Sequence, residues 1–539
     1  MEVKERYKIK NRIIKKENNS RRKEIILLTI FLIIQTIIYV ICGINKSYIH
    51  MDEAYSLGLA SYDKVEIQDN EDFYNAWHSK EYYEDYLSVQ KDELGEYKQV
   101  YENQKNDVHP PLYYLILRIS MGSAEGYSKW PGIIINIVIY IFITIFMYLI
   151  LQKLLKNEEK IKEKSLVLAF LSSITMAALT NAIYIRMYAL STLNILITTY
   201  LHIKLLETEK INIKLIVFIG ISALVGSLTH YYYLFYLAMM FVIFAIKYIK
   251  EKDFKKLATY TSTMLLAGIL SLIIFPYSIQ HMFFGYRGQG VISKLTNIPE
   301  FLKSLLAYIH KVNYFGFNNL LYFIIIAIVG IILYNKRHSK TNKSNNNKTL
   351  KIIYLPTIFY FTIVSIASPW IELRYIMPVC GLIFVLVIYW LYQLLRTLLT
   401  EDKCNKILAI VLVLIFVSPF IFKIEPEVMF RDKKEIVQKL ENELNVPTLY
   451  MFNSQNNRFL DDILLFAKLD ESYIAKDINC TKRNIEIILR EKDISKGVIV
   501  FINEGQENDD IIDIIKEATG LKRSEYLKRL NACDVYYLK

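Results

Sequence analysis

The residue types that can do chemistry gather at the two ends of one stretch. His50-Met51-Asp52-Glu53 opens it and Asp107-Val108-His109-Pro110-Pro111-Leu112 closes it. Both clusters adjoin long apolar segments, so both belong near a membrane surface. Carboxylates and imidazoles are costly to desolvate there and usually mark a functional site. A carboxylate of Asp52 or Glu53 held in such a place can accept a proton from a hydroxyl or an amine. Read alone, the same acids also suit a helix N-terminus. Pro110-Pro111 restricts the backbone beside Asp107 and His109 and limits where their side chains point. His109 fits contact with a phosphate or a metal, and equally a hydrogen-bonded place at the interface.

Three further polar clusters fall at helix ends assigned to the same side. Arg186-Met187-Tyr188 opens one helix, Thr229-His230-Tyr231-Tyr232-Tyr233 joins two, and Glu372-Leu373-Arg374-Tyr375 precedes another. A lone arginine at a helix end is most often an anchor that reaches for headgroups. Several charged groups converging on one face suit an anionic ligand, and arginine matches phosphate oxygens. Arg287 lies in Phe284-Gly285-Tyr286-Arg287-Gly288-Gln289-Gly290, which reads equally as a loop closing over a ligand and as a turn before a helix over Ile298–Ile309. Tyr188, His230 and Tyr375 join the candidate binding residues, although an aromatic belt accounts for many tyrosines in such a chain.

What must position these residues is a set of membrane helices. The chain has 539 residues, 53% of them hydrophobic, and a mean hydropathy of +0.24. Apolar runs near the length of a membrane-crossing helix recur along it. Eleven are expected: Ile25–Gly43, Tyr127–Leu155, Ser165–Asn181, Tyr184–Glu207, Ile213–Leu228, Tyr231–Ile246, Leu257–Tyr277, Leu320–Asn335, Ile352–Ser368, Ile376–Leu395 and Ile407–Phe422. The first follows a basic N-terminus and lacks a small-residue cleavage site, so it reads as an uncleaved helix.

The net charge of +12 does not indicate nucleic acid, because the basic residues fall in short loops: Lys156 to Lys164, Lys247 to Lys256, Lys336 to Lys351 and Arg396 to Lys406. This is the pattern of cytoplasmic loops. The segment Ile44–Asp107 carries 15 acidic and 6 basic residues and is assigned outside. The organisation expected is a cytoplasmic tail over 1–24, a multi-helix membrane domain over 25–422 with outer loops 44–127 and 278–319, and an extracytoplasmic α/β domain over 423–539. Short amphipathic helices are expected over Phe73–Leu87 and Leu94–Gln104, and an interface-lying helix over Pro111–Met121. The last domain should hold strands Thr448–Phe452, Gly497–Ile502, Arg523–Leu530 and Asp534–Leu538, the final pair forming a hairpin around Asn531-Ala532. Ser339–Lys348 is a polar, Asn-rich tract. Of the five cysteines, Cys480 and Cys533 share the last domain, and pairing and separate thiols are left open.

Asp-Glu after the first helix, together with Asp-Val-His-Pro-Pro-Leu at the end of the first outer loop, resembles the protein O-mannosyltransferases. More broadly it resembles family 39 glycosyltransferases and the related aminoarabinose transferases. Arg186-Met187-Tyr188 and Arg374-Tyr375 are similar to segments of bacterial members. Tyr113-Tyr114 departs from the Gly-Lys that follows the motif in eukaryotic mannosyltransferases. The resemblance spans roughly Ile25 to Leu395 and implies a polytopic α-helical membrane protein of the GT-C fold. It implies an inverting transfer from a polyprenyl-phosphate sugar to a protein, glycan or lipid acceptor, with Asp52 as the base that deprotonates the acceptor. Glu53 would orient the acceptor or stabilise the site, and His109, Arg186 and Arg374 would face the donor phosphate. Some relatives place a divalent metal nearby; metal dependence stays open. Two other classes compete: a transporter or flippase of lipid-linked sugars, which should show paired halves or broken helices, and a noncatalytic receptor or assembly factor, which would not need Asp52 or His109.

Overall fold

The computed structural model describes residues 2–284, 298–338, 348–442, 446–453, 458–476 and 480–539. Arg287 and the glycine segment around it lie outside the described residues, as does most of the Asn-rich tract from Ser339. The chain forms two compact units. The first comprises Met1–Cys42, Asn136–Ile183 and Met187–Glu427; the second comprises Gly43–Ile135, Tyr184–Arg186 and Val428–Lys539.

Among the described residues, eight helices are long and apolar enough to cross a membrane, and up to ten spans result if each of two bent helix pairs counts as one. The chain is an integral membrane protein. Its apolar side chains support this directly: Leu265 is 62% exposed, Ile273 69% and Phe420 86%. Side chains of that kind in rows on helices need hydrocarbon around them. All eleven expected segments are helical, but they are not eleven straight spans. Ile213–Ser227 has 15 residues, about 22 Å at 1.5 Å per residue, which is short of a hydrocarbon core of about 30 Å.

The two bends have identifiable causes. Ile161–Ser173 and Met176–Ile183 meet at 61°, and Thr175 Oγ1 accepts the Ala178 amide at 3.3 Å, capping the second helix. Pro299–Gly316 and Leu321–Arg337 meet at 105°. Between them Asn318 and Asn319 take left-handed backbone with φ 51° and 71°. Asn313 Oδ1 accepts the Leu321 amide at 3.0 Å, and the Asn318 side-chain amide donates to the Ile415 carbonyl at 2.8 Å. Irregular backbone survives at membrane depth only when its polar groups are satisfied in this way.

The second unit is built on one six-stranded sheet. Its strands are β1 (Trp77–Ser79), β2 (Thr448–Phe452), β3 (Glu471–Lys476), β4 (Val498–Asn503), β5 (Ser524–Leu530) and β6 (Cys533–Leu538), ordered β1-β3-β2-β4-β6-β5. β2 is parallel to both β3 and β4, and the remaining pairs are antiparallel. β2 is buried on both faces. One face carries Leu449, Met451, Val500 and Ile502 against Ile485 and Ile512 of the helices Lys482–Leu489 and Asn508–Thr519. The other face is aromatic: Tyr450 and Phe501 meet Phe459 and Phe466, with ring centroids 5.1–6.2 Å apart.

β1 and β3 were not expected. β1 comes from the outer loop and pairs with β3 from the C-terminal segment, so 423–539 does not close its sheet by itself. Of the helix expected over Phe73–Leu87, only Lys80–Leu87 forms. Its Tyr83 shares a 2.7 Å hydrogen bond with Ser472 of β3. The hairpin after β5 turns at Asn531, φ 48°, whose side-chain amide donates to Asp462 Oδ1 at 2.6 Å. Asp462 is fully buried, and burial together with nearby Asp461 pushes its carboxyl up to about 7. All five cysteines are free, Cys480 and Cys533 included.

Candidate functional site

The helix Met51–Ser61 carries the acidic pair, and its start is fixed by local hydrogen bonds. His50 is the N-cap: its Nδ1 accepts the Asp52 amide at 3.1 Å, and Glu53 Oε2 accepts the His50 amide at 2.8 Å. This reciprocal box satisfies amides that a helix start leaves unpaired. At the other end, Arg118 Nη1 donates to the carbonyls of Ala60 and Ser61 at 2.9 and 3.1 Å, placing a cation where the helix dipole favours one. Arg118 belongs to Leu112–Met121, the segment expected to lie on the membrane surface. One face of that helix is buried instead, through Tyr113, Tyr114, Leu117, Arg118 and Met121. Against Lys80–Leu87 the fit is tight: a Cβ on Gly58 would stand 2.0 Å from Cζ of Tyr86.

Asp52 sits in the first turn, where the helix dipole favours a carboxylate. Its Oδ2 accepts the Tyr184 hydroxyl at 2.7 Å and lies 3.6 Å from His50 Nδ1. Its Oδ1 is 3.8 Å from Arg186 Nη2. Tyr184-Ile185-Arg186 reaches it because the chain is not helical there: one helix ends at Ile183 and the next starts at Tyr188, later than the start expected at Tyr184–Arg186. Arg186 Nη1 donates to Ser56 Oγ at 3.1 Å and to the Tyr114 hydroxyl at 3.2 Å. Ser56 is one helical turn from Asp52, on the same face.

Asp107 and His109 form their own pair, Oδ2 to Nδ1 at 2.7 Å. Burial opposes the Asp107 charge, but His109 and then Arg186 outweigh it and hold the carboxyl down at about 2. Arg186 therefore acts on both Asp52 and Asp107, which links the two ends of the loop. A third acid stands beside them. Glu66 accepts the Tyr55 hydroxyl at 2.6 Å, and burial, with Asp69 and Asp107 nearby, raises its carboxyl above the ordinary range despite that bond.

Glu53, expected beside Asp52 to orient the acceptor or stabilise the site, has a separate set of partners. It is fully buried and bonded to Lys46 Nζ through both oxygens at 2.7 Å. It also accepts the amides of His50 and Ile185, at 2.8 and 2.9 Å. With its lone pairs engaged it positions the segments bearing Asp52 and Arg186 and offers no oxygen to a substrate. Burial lowers the Lys46 ammonium below its ordinary range, against the pull of Glu53.

The remaining candidates gather in the first unit. Tyr188 lies 5.5 Å from the His230 ring and 6.4 Å from Tyr375, centroid to centroid. The Arg374 guanidinium stands over Tyr375 at 5.2 Å, and Tyr232 bridges His230 and Tyr375 at 5.0 and 5.9 Å. The ten residues expected from sequence thus resolve into a carboxylate–arginine–histidine group (Asp52, Glu53, Asp107, His109 and Arg186), an aromatic–cation group (Tyr188, His230, Arg374 and Tyr375), and Arg287 outside the described residues. Sequence reasoning missed Tyr184, Tyr55, Glu66, Ser56 and Tyr114. Only Ser56 had a signal, its spacing of four from Asp52.

As for a metal, among the described residues no group of three or more His, Cys, Asp or Glu side chains is arranged to hold one. The nearest donors, Asp107 with His109 and Asp52 with Tyr184, are already bonded in pairs.

No known family profile matches the sequence, and no curated protein matches it. Among solved structures, the chain is similar to ArnT from Cupriavidus metallidurans. The crystal structure bound to undecaprenyl phosphate aligns at 9% identity and a TM-score of 0.48, covering 95% of this chain and 97% of that one. The apo-state structure aligns at 9% identity and a TM-score of 0.47 over the same shares.

Proposed function

We propose that this protein is a membrane glycosyltransferase that moves a sugar from a polyprenyl-phosphate donor to an acceptor on the extracytoplasmic side, with Asp52 as general base. The observation that carries the reading is the setting of Asp52. It is a carboxylate at a helix N-terminus, hydrogen-bonded by Tyr184 and faced by Arg186, the same arginine that acts on the paired Asp107 and His109.

The chemistry follows from those parts. An acceptor hydroxyl or amine gives its proton to Asp52 as its lone pair attacks the anomeric carbon. The bond from that carbon to the phosphate oxygen breaks, and the lipid phosphate leaves with the electron pair. Attack opposite the leaving group inverts the centre. Charge grows on the departing oxygen, so donors aimed at it lower the barrier. Arg186 and His109 are assigned that role. Tyr188, His230 and Tyr375 are assigned to the sugar or the lipid, Asp107 to holding His109, and Glu53 to positioning. The basic loops set the orientation, with the N-terminus cytoplasmic. The GT-C and family 39 assignments rest on the motif resemblance.

The test is Asp52→Asn, which keeps size and removes the base. In vesicles supplied with radiolabelled polyprenyl-phosphate hexose or pentose, release of polyprenyl phosphate should fall by about a hundredfold or more while the donor stays bound. Undiminished release removes Asp52 from the mechanism. A transporter or flippase is the second reading, favoured by the two bent helix pairs. It requires the labelled donor to cross the vesicle bilayer at the same rate in the parent protein and in the Asp52→Asn variant, without release of polyprenyl phosphate.

A further inference from the structure

A cavity lies within the first unit and shares no residue with the groups described above. It has a volume of about 290 Å³, at the small end of ligand sites, which run from about 300 Å³ upward. It opens between four helices at the ends that meet the basic loops: Trp130–Leu154, Ile161–Ser173, Met377–Leu395 and Glu401–Phe422. Its walls are hydrocarbon, chiefly Leu151, Leu155, Leu168, Ile388, Leu408 and Leu412. Leu151 and Ile388 have no exposed surface and Leu155 has 3%, so these side chains form the packed floor of the cleft.

The mouth is polar and rigidly built. Lys164 Nζ bonds Glu401 Oε1 at 2.8 Å and the Tyr392 hydroxyl at 2.9 Å. Arg396 bonds the same Glu401, so one carboxylate serves two cations. The Tyr392 hydroxyl and the Gln393 amide both donate to Glu158 at 3.0 Å. Lys160 and Glu163 line the mouth and are exposed, Lys160 held in left-handed backbone at φ 50°. The flanking segments are net basic: 153–164 has five lysines against three glutamates, and 396–406 has Arg396, Lys403 and Lys406 against Glu401 and Asp402.

We infer that this cleft is a structural lipid site: one acyl chain of an anionic phospholipid from the basic-loop leaflet enters it, with the headgroup phosphate at Lys160. An apolar slot between membrane helices is filled by the solvent that surrounds them, and that solvent is lipid chains. The polar collar excludes a chain lying across it and directs the head outward, where the excess positive charge selects an anionic phosphate over a zwitterionic head. A basic pocket between membrane helices at a cytoplasmic surface is a recurrent setting for such binding. The occupied cleft would brace four helices at the end where no part of the proposed transfer chemistry is located, so the inference stands or falls apart from the glycosyltransferase reading.

The full chain, reconstituted in nanodiscs of equal phosphatidylglycerol and phosphatidylcholine and released in the gas phase, should keep one phospholipid by native mass spectrometry. Phosphatidylglycerol should be preferred by about fivefold, the effect of one basic side chain at an anionic surface. This measurement needs no variant. Equal retention of the two lipids, or none, overturns the inference. Ala409→Trp, which puts an indole into the slot from a wall position, should abolish the retained lipid, and Lys160→Gln should abolish the preference while leaving one lipid bound. Retention unchanged in the first variant, or preference unchanged in the second, overturns the site or the headgroup assignment respectively.

Discussion

Replacing Lys46 by Met tests the idea that Glu53 holds the site together without touching substrate. In the native protein both partners are fully buried, and Lys46 Nζ sits 2.7 Å from each Glu53 oxygen. Met fills the lysine stem's volume but leaves the carboxylate with two backbone amides and no bonded cation, with Lys129 the remaining positive charge nearby. Breaking one side of a buried pair typically costs about 3–5 kcal/mol. The loss should fall on the segments that Glu53 bonds, around His50 and Ile185. At about 1.4 kcal/mol per tenfold, amide exchange there should speed by roughly two to four orders of magnitude, read by hydrogen–deuterium exchange on peptides covering 46–61 and 180–190. The double variant Lys46→Met/Glu53→Gln distinguishes causes. Gln is neutral, and its single carbonyl oxygen can still accept one of the two amides, which bond different oxygens of Glu53 in the native protein, so part of the protection should return. Glu53→Leu in the same background should not restore it, because the His50 and Ile185 amides would be buried unpaired at about 1–3 kcal/mol each. If Lys46→Met leaves exchange in both peptides unchanged, or if Leu rescues as well as Gln, Glu53 does not act as argued.

Two further expectations come from single side chains. Tyr184→Phe removes the 2.7 Å donor to Asp52; a hydrogen bond to a charged group contributes about 1.5–3 kcal/mol, so the Asp52 carboxyl should rise by about 1–2 pH units. The acid limb of the transfer rate should move up by that amount, and a limb that stays put refutes the contact's role. Asp462, pushed up to about 7, keeps its proton in the folded protein over a range where an unfolded aspartate, near 4, has lost it. The folded state then binds more protons, so stability falls as pH rises from about 4 to about 7 and stays reduced above that. Asp462→Asn removes the penalty: its thermal midpoint should match the parent near pH 4 and exceed it at pH 8, and parallel curves would refute the assignment.

What the sequence disclosed was mostly local. Asp107 and His109 are two residues apart beside paired prolines, and they do bond each other. Asp52 and Glu53 were readable as a helix start, and they are one. The roles of the neighbours were not readable, because the partners come from far away. Tyr184 reaches Asp52 from 132 positions along the chain, and hydropathy made it the first residue of a helix. The same blindness hid the bend at Thr175, since composition reports apolar length and not direction. β1 escaped notice because three residues carry no period, and their strand character comes only from pairing with β3. The division of the candidates between two units was hidden for a related reason: loop charge assigns a side of the membrane but not a neighbour.

The pairing of β1 with the C-terminal sheet also sets the order in which the protein can be completed. Trp77 donates its indole to the carbonyl of Ile488, 411 positions later. At about 5–20 residues per second, the ribosome needs roughly 20–80 s to travel between them. Throughout that interval the nascent loop has an unmatched strand and a helix lacking its aromatic support. The loop that carries Trp77 therefore gains this contact only after residue 488 has been made.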